Sequence, residues 1–302
     1  MSTRQSFGGP WTVEKLDILS GYLNFYVTAL KNQPFDLIYI DAFAGTGHIN
    51  LGNSDSKGVV SGQIGLDMRE VPEAKEEIIP GSATLALSAV EPFSHYYFIE
   101  KNKKYAAELE TLVDTNFPQR KPCVTIRKGE DCNRVLLELC QKSIDWHKHR
   151  AVLFLDPYAA DVKWETLQAI ANTRAIDVWY LFPFNAANRM MSKDGNIDPK
   201  WGEKLNSIFG DNSWEQEFYE EDLQTSMFGM PSVKRNVSTD KLKAYIEKRL
   251  SSVFPKVSTH SRVLYNSKRS PLFMFCFAVS NPDYKAQGLA LKVANYILQD
   301  KR

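Results

Sequence analysis

The chain has few cysteines, no long apolar run and no metal-binding motif. Its four cysteines, Cys123, Cys132, Cys140 and Cys276, lack the spacing of metal ligands, so we expect no metal site and thiols kept in a reducing cytoplasm. No apolar run approaches the roughly 18 residues of a membrane span, and the amino terminus does not have the form of a signal peptide. We therefore predict a cytoplasmic protein without a membrane segment.

The net charge is also small: the chain has 37 basic and 36 acidic residues, which gives a formal net charge of +1 at pH 7. A strong nucleic-acid binder is usually basic, so this balance counts against a nucleic-acid partner unless the charges are segregated. An acidic run at residues 215–222 is interpreted as a surface that faces a partner or solvent. With 302 residues, the chain can bury one large α/β core and a subdomain.

No GxxxxGK(S/T) phosphate loop and no complete GxGxxG fingerprint occur, which argues against a P-loop NTPase. An apolar run at residues 37–40 is instead followed by Asp41 and by a turn that contains Gly45 and Gly47. Such a run is typical of a parallel strand buried on both faces. Ligands of open α/β sheets lie beyond the carboxyl ends of these strands, and glycine lets the main chain approach them closely.

A carboxylate at this place suits a ligand with an ammonium group better than a ligand with phosphates. We therefore predict S-adenosylmethionine as the cofactor, with the following residues in contact with it: Asp41, Phe43, Ala44, Gly45 and Gly47. The alternative is that Asp41 and the glycines only cap a strand in another α/β enzyme.

Acidic residues recur at the ends of two further predicted strands. Residues 95–100 end in Glu100, which is placed to hold the ribose hydroxyls, as in dinucleotide-binding folds. A third strand at residues 123–126 leads to Glu130 and Asp131, where a carboxylate can accept a hydrogen bond from the adenine amino group. Both sites belong to the predicted cofactor pocket.

The remaining strands complete an α/β pattern. Strands at residues 151–155 and 175–182 follow, with helical patterns between the strands, and this alternation predicts a doubly wound, mostly parallel sheet. Residues 258–265 and 271–279 are joined by a short link and predict an antiparallel hairpin. A helix at residues 286–299 would cover this hairpin.

The order of these motifs resembles the class I S-adenosylmethionine-dependent methyltransferases and, more closely, the bacterial three-Cys-motif partner family, TcmP. The resemblance implies a Rossmann-like, doubly wound, seven-stranded sheet with an antiparallel last strand and a helical insert. It also implies a partner, a three-Cys-motif protein that resembles radical S-adenosylmethionine enzymes, but it names no substrate. The matching segments are Trp11-x-x-x-Lys15-Leu16, residues 40–47, Gly81-Ser82-Ala83, Phe98-Ile99-Glu100, residues 154–158 with Val162-x-Trp164, and residues 179–183 with Asn188-Arg189.

One spacing departs from this pattern. The acid of the second strand usually follows the glycine turn by about 20 residues, but here residues 48–80 form an insertion with a strand-like segment at residues 58–60. The insertion is either a lid over the site or an exposed hairpin. We expect the next helix to begin at Ser82, with Ser82 as its N-cap and as a cofactor contact, together with main-chain N–H groups of Gly81 and Ser82.

The fourth strand leads to Asp156, Pro157 and Tyr158, which we predict to be the catalytic residues. Methyltransferases that act on exocyclic amines use (Asp/Asn)-Pro-Pro-(Tyr/Phe), in which the acid and a carbonyl accept hydrogen bonds from the amine and the ring stacks on the target. The shorter form here is similar to the Asp-Pro-(Phe/Tyr)-Gly of tRNA guanine dimethyltransferases, with Ala159 in place of the glycine. An exocyclic amine of a nucleobase in RNA or DNA is the predicted target. Alternatively, Asp156 only caps a turn.

Four further residues have a predicted role in binding. Lys15 either reaches the methionine carboxylate of the cofactor or is a solvated helix lysine. Phe184, Asn185 and Arg189 follow the fifth strand and would face the substrate, where Arg189 either holds a phosphate or pairs with a carboxylate. The basic cluster at residues 147–150 lies at the opposite edge and is interpreted as solvated surface.

We divide the chain into an amino-terminal helical segment (residues 1–35), a core (36–190), a helical insert (191–257) and a carboxy-terminal hairpin with a helix (258–302). The insert either recognises the substrate or partner or only packs. The leading function is a methyltransferase, the second is a non-catalytic partner protein, and the third is a nucleic-acid-processing nuclease that would use paired carboxylates around a metal.

Overall fold

The structure is a computed structural model that describes residues 10–51, 77–221 and 233–299. The strands are β1 (Asp36–Asp41), β2 (His48–Leu51), β3 (Glu77–Pro80), β4 (His95–Glu100), β5 (Val124–Lys128), β6 (His149–Leu155), β7 (Ile176–Phe182), β8 (Tyr219–Glu221), β9 (Val233–Arg235), β10 (Lys256–Val257), β11 (Arg262–Tyr265) and β12 (Pro271–Val279). The helices are α1 (Pro10–Leu30), α2 (Ser82–Leu87), α3 (Lys103–Asn116), α4 (Cys132–Glu138), α5 (Trp164–Asn172), α6 (Phe184–Met190), α7 (Pro199–Phe209), α8 (Ser213–Phe218), α9 (Thr239–Ser251) and α10 (Tyr284–Gln299).

A central sheet of eight strands has the order β10-β12-β7-β6-β1-β4-β5, with β11 also paired to β12. Strands β4, β5, β6, β7 and β1 are parallel, whereas β12 is antiparallel to β7. The prediction of a doubly wound, Rossmann-like sheet with an antiparallel last strand is confirmed. The sheet has eight strands and not seven because β10 and β11 share one edge of β12.

The predicted strand at residues 258–265 is shorter in the structure, where only Arg262–Tyr265 pairs as β11. The hydroxyl of Ser258 accepts a hydrogen bond from the main-chain N–H of His260 at 3.0 Å and donates one to Asn295. A serine that bonds the main chain two residues on favours a turn over a ladder. The chain therefore leaves the sheet between β10 and β11.

Helices cover both faces of the sheet, and each strand sends alternate side chains to the two layers. In β1, Ile38 and Ile40 pack in the cluster that includes α4 to α9, whereas Leu37 and Tyr39 pack in the cluster that includes α1, α2, α3 and α10. A sheet that is covered on both faces needs apolar residues at successive positions, which explains the continuous apolar runs. The helices of the insert belong to the first cluster, through Leu205 and Trp214 of α7 and α8.

Residues 48–80 begin and end as antiparallel strands, because β2 pairs with β3 from His48 opposite Pro80 to Leu51 opposite Glu77. The strand-like segment at residues 58–60 lies outside the described residues. Helix α2 begins at Ser82, as predicted, but its N-cap is Gly81 and not Ser82. The N-cap prediction was wrong because the Gly81 N–H is directed to the carbonyl oxygen of Gly47, at 2.8 Å, and a Cβ on Gly81 would lie 2.9 Å from that oxygen.

Three smaller features of the structure bear on the predictions for the helical insert, membrane segments and metals. The insert contains a short antiparallel pair of strands, β8 with β9, that the sequence pattern did not indicate. Among the described residues, no helix combines the length and apolarity needed to cross a bilayer, and no group of three His, Cys, Asp or Glu side chains is arranged to hold a metal ion. The division into four segments stays a prediction.

Candidate functional site

A cleft opens at the carboxyl ends of β1 and β6. The first turns of α1 form one wall, the glycine turn after β1 and the start of α2 form a second, and the residues after β6 form a third. The lining residues are Trp11, Thr12, Lys15, Phe43, Ala44, Gly45, Thr46, Gly47, His48, Ile49, Gly81, Ser82, Asp156, Pro157, Tyr158 and Phe273. The cleft therefore brings together the predicted glycine turn, Lys15, Ser82 and all three predicted catalytic residues.

The glycine turn adopts a conformation that favours glycine. Gly45 and Gly47 have φ angles of 60° and 81°, in the left-handed region. The N–H of Gly45 donates to Oε2 of Glu100 at 2.8 Å, and the hydroxyl of Thr84 donates to the carbonyl of Gly47 at 2.6 Å. The turn is thus held between the end of β4 and the start of α2.

Asp41 is fully buried behind the wall of the cleft. Its carboxylate accepts hydrogen bonds from the N–H of Phe43 and the hydroxyl of Tyr39, both at 3.2 Å, and from the hydroxyl of Ser82. Burial raises the pKa of Asp41 to about 6, although the bonds from Ser82, Phe43 and Tyr39 oppose this change. Asp41 therefore organises the turn from beneath, and its predicted contact with a cofactor stays a prediction.

Glu100 lies at the end of β4 and is 8% exposed. Its two carboxylate oxygens accept hydrogen bonds from the N–H groups of Gly45, at 2.8 Å, and Asn102, at 2.6 Å. Burial raises the pKa of this carboxyl, and the two main-chain bonds lower it. A carboxylate oxygen accepts more than one hydrogen bond, so the predicted contact with ribose hydroxyls is compatible with these bonds.

Lys15 and Asp156 form an ion pair across the cleft. The side chain of Lys15 is 6% exposed and that of Asp156 is 21% exposed, so the alternative of a solvated helix lysine was wrong. The ammonium also lies 4.9 Å from the centre of the Trp11 ring, a cation–π arrangement. Helix α1 therefore places a cation directly on the predicted catalytic acid.

Thr12 is a cleft residue that the sequence interpretation missed. Its side chain is 2% exposed, and its hydroxyl has no hydrogen-bond partner within the described part of the chain. A buried hydroxyl that is left unpaired costs free energy, so such a group inside a cleft indicates a missing ligand atom. The signal was available, since residues three apart on a helix lie on the same face, as Thr12 and Lys15 do.

Tyr158 and Phe273 add aromatic surface to the mouth of the cleft. The side chain of Tyr158 is 58% exposed. Phe273, another residue that the sequence did not indicate, packs on Trp11 with ring centres 5.1 Å apart. These rings offer a flat target an apolar contact surface next to Asp156.

Other predicted site residues lie outside the cleft lining. Glu130 pairs with Arg127 at 2.9 Å and with Arg134. Asp131 caps α4 through a hydrogen bond from the N–H of Asn133 at 3.0 Å. Their roles toward adenine stay predictions.

The three predicted substrate residues lie on α6, which begins directly after Pro183 at the end of β7. Phe184 is buried in the core, Asn185 is half-buried and Arg189 is exposed. This start of the helix turns Phe184 inward, so at most Asn185 and Arg189 are accessible to a substrate. The roles of Asn185 and Arg189 stay predictions, whereas Phe184 is buried in the core and has no accessible surface for the substrate contact predicted for it.

The fold and the site place the protein among α/β proteins with a Rossmann-like sheet. The sheet has an antiparallel strand, and a candidate ligand cleft lies at the carboxyl ends of β1 and β6. No protein-family model matches the chain, and no curated protein matches it in sequence. The resemblance to the three-Cys-motif partner family therefore stays a prediction.

Solved structures that are similar to the chain include three distant ones. Protein LPL1258 of Legionella pneumophila, family DUF519, is 14% identical, with 94% of this chain and 91% of that chain covered and a TM-score of 0.49. Magnesium protoporphyrin IX methyltransferase of Synechocystis PCC 6803 with bound SAH is 10% identical, with coverages of 92% and 90% and a TM-score of 0.38. The methyltransferase-like protein yhhF of Escherichia coli is 11% identical, with coverages of 79% and 92% and a TM-score of 0.34. Structural similarity at these identities and TM-scores does not assign an activity to this protein.

Proposed function

We propose that this protein is an S-adenosylmethionine-dependent methyltransferase that acts on an exocyclic amine of a nucleobase in RNA or DNA. The main support for this proposal is that Asp156, directly after β6, lines the same cleft as the glycine turn. A cofactor and an amine can thus meet in one enclosed place, and methyl transfer depends mainly on such positioning.

The polar groups of the cleft support the proposed cofactor. Lys15 and Thr12 lie on the same face of α1 and both line the cleft. The ammonium of Lys15 has three donors, so it can contact a ligand carboxylate while it stays paired with Asp156, and the unpaired hydroxyl of Thr12 can contact the same ligand group. A flat ring system can approach the main chain of the turn closely, because Gly45 and Gly47 carry no side chains. When bound, S-adenosylmethionine supplies an electrophilic methyl group on a sulfonium.

Asp156 is the residue that we assign to the target amine. Its carboxylate is partly exposed to the cleft and accepts an N–H of the amine, which directs the nitrogen lone pair. Lys15 fixes the carboxylate in place through the ion pair. Tyr158, exposed at the mouth, provides the ring on which a base stacks.

The two alternative functions make different demands. A non-catalytic partner protein needs neither the pair of Lys15 with Asp156 nor the unpaired Thr12 hydroxyl. A nuclease would pair Asp156 with Asp131, but the first is bound to Lys15 and the second caps α4. The three-Cys-motif protein remains the proposed partner on the basis of the sequence resemblance.

Calorimetric titration with S-adenosylmethionine tests the first half of the proposal. Folded protein that does not bind it, with or without the three-Cys-motif protein, would refute a methyltransferase and support the partner-protein alternative. Transfer of a radiolabelled methyl group to total RNA, DNA and protein tests the second half. Label that appears only in protein would overturn the nucleobase assignment and leave the methyltransferase assignment intact.

A further inference from the structure

Whereas the candidate site lies at the carboxyl ends of β1 and β6, a second cavity lies near the amino ends of β6 and β7. It has a volume of about 630 Å³ and opens between the second half of α1 and the start of α10. This volume is within the range of small-molecule sites. Most of its wall is aromatic or aliphatic, including Phe25, Leu30, Phe35 and Leu289.

Two opposite charges face this cavity from neighbouring strands. Asp177 of β7 lies beside Val152 of β6 in the parallel register, and Arg150 precedes Val152 by two residues. Side chains two apart on a strand point to the same face, so Asp177 and Arg150 are diagonal neighbours on the α1 side of the sheet. Both line the cavity.

The carboxylate of Asp177 is incompletely satisfied. Within the described ranges, its one hydrogen-bond donor is the hydroxyl of Tyr22, which contacts Oδ2 at 2.7 Å. Burial raises the pKa of this carboxyl to about 7, and the Tyr22 bond and the nearby charge of Arg150 lower it. A cationic group that entered the cavity would compensate the carboxylate.

Arg150 is not the solvated residue that its basic sequence neighbours indicated. Its guanidinium stacks 3.8 Å from the centre of the Phe35 ring. Among the described residues, its hydrogen bonds go to the main-chain carbonyls of Trp146 and His149, at 3.0 and 2.7 Å, and to no carboxylate. An arginine that donates no hydrogen bond to a carboxylate is suited to a ligand carboxylate.

Tyr26 supplies a third polar group. Tyr26 is 5% exposed and lines the cavity. The cavity thus presents an acceptor, a donor and a hydroxyl above apolar walls, which is the usual composition of a small-molecule site.

We propose that this cavity binds a small zwitterion with an apolar body, of the class of the aromatic α-amino acids. The ammonium contacts Asp177, the carboxylate contacts Arg150, and the side chain packs on Phe25 and Leu289. The zwitterion matches Asp177 and Arg150, which make no hydrogen bond to each other, and the other two charged lining residues, Asp283 and Lys285, are also of opposite sign. Because the cavity lies away from the Asp156 cleft, this inference does not depend on the proposed methyltransferase activity.

The test is a calorimetric titration of the full chain with L-phenylalanine, compared with phenylethylamine and phenylpropanoate, which each lack one of the two charges. We expect L-phenylalanine to bind about tenfold or more tightly than either analogue, because a charge-assisted hydrogen bond contributes about 1.5–3 kcal/mol. Absence of L-phenylalanine binding at millimolar concentration would overturn the proposal. So would equal binding of phenylethylamine.

Variants locate the binding. Asp177→Asn keeps an acceptor for Tyr22 and should weaken L-phenylalanine binding about tenfold. Asp283→Asn, at the mouth of the cavity, keeps the side-chain oxygen that accepts from the N–H of Ala286 and should leave binding unchanged. Arg150→Gln should weaken binding of L-phenylalanine but not of phenylethylamine. Equal affinities of the folded Asp177→Asn and wild-type proteins would contradict the proposed site.

Discussion

Lys15 of α1 and Asp156 after β6 are 141 residues apart in the chain and form an ion pair inside the cleft. A pair that is largely withdrawn from solvent is costly to break on one side, because the remaining charge is left uncompensated. The amino-terminal helix is therefore part of the candidate site and not only a cover for the sheet. Asp156 is held in a single place, as a residue that positions a substrate amine would need to be.

Asp156→Asn tests the assignment of the acid. We expect methyl transfer to fall about a hundredfold or more, as is typical on loss of a catalytic carboxylate, whereas affinity for S-adenosylhomocysteine should not fall, because Lys15 keeps its ammonium for the ligand carboxylate. Single-turnover kinetics and calorimetry measure the two effects. The control is Asp161→Asn, a nearby acid that lies 3.9 Å from Lys204 and outside the cleft lining. Unchanged transfer in a folded Asp156→Asn protein would remove this residue from the mechanism.

Thr12→Val tests the unpaired hydroxyl. If Thr12 and Lys15 hold the carboxylate of the cofactor, the variant should bind S-adenosylhomocysteine about tenfold more weakly, through loss of a hydrogen bond to a charged group. Its affinity for methylthioadenosine, which lacks that carboxylate, should not change. Thr28→Val, at an exposed position of the same helix, is the matched control. Equal losses for both ligands would show that Thr12 acts only on the packing of the cleft.

Gly81→Ala tests the close approach of α2 to the glycine turn. A Cβ at residue 81 would lie 2.9 Å from the carbonyl oxygen of Gly47, so the main chain must shift. We expect a loss of about 1–3 kcal/mol in the free energy of unfolding, as for other overpacked sites. Gly202→Ala is the opposite case, because nothing lies within 4 Å of its Cβ position in α7. It should stabilise the protein by about 0.5–1 kcal/mol, and urea unfolding compares the two.

The buried Asp177 should make stability depend on pH. The carboxyl titrates near pH 3.9 in an unfolded chain, whereas burial raises the pKa to about 7 in the fold. The folded state thus binds the proton more tightly, and this contribution to stability is complete below the unfolded pKa and is lost as the pH rises through 7. Wild-type protein should therefore lose more stability than Asp177→Asn between about pH 5 and 8. Thermal unfolding across this range measures the difference, and parallel curves would refute the high pKa.

Much of the fold followed from local patterns. The parallel sheet was predicted from the apolar runs of β1, β6 and β7, because a strand that is buried on both faces needs apolar residues at successive positions. The ligand side of the sheet was predicted from the glycines after β1, because a turn with positive φ favours glycine. One error was also local. Ser82 was predicted to cap α2, but Gly81 occupies that position because only a residue without a side chain fits against Gly47.

The sequence by itself determined the class of sheet, the glycine turn and the acids at the strand ends, since each depends on residues close together in the chain. Only the tertiary structure decided which groups meet. It placed Lys15 on Asp156, left the hydroxyl of Thr12 unpaired in the cleft, and set Arg150 diagonal to Asp177 above a second cavity. These relationships join residues on different helices and strands, and their energies arise from burial and charge compensation, which no local pattern records.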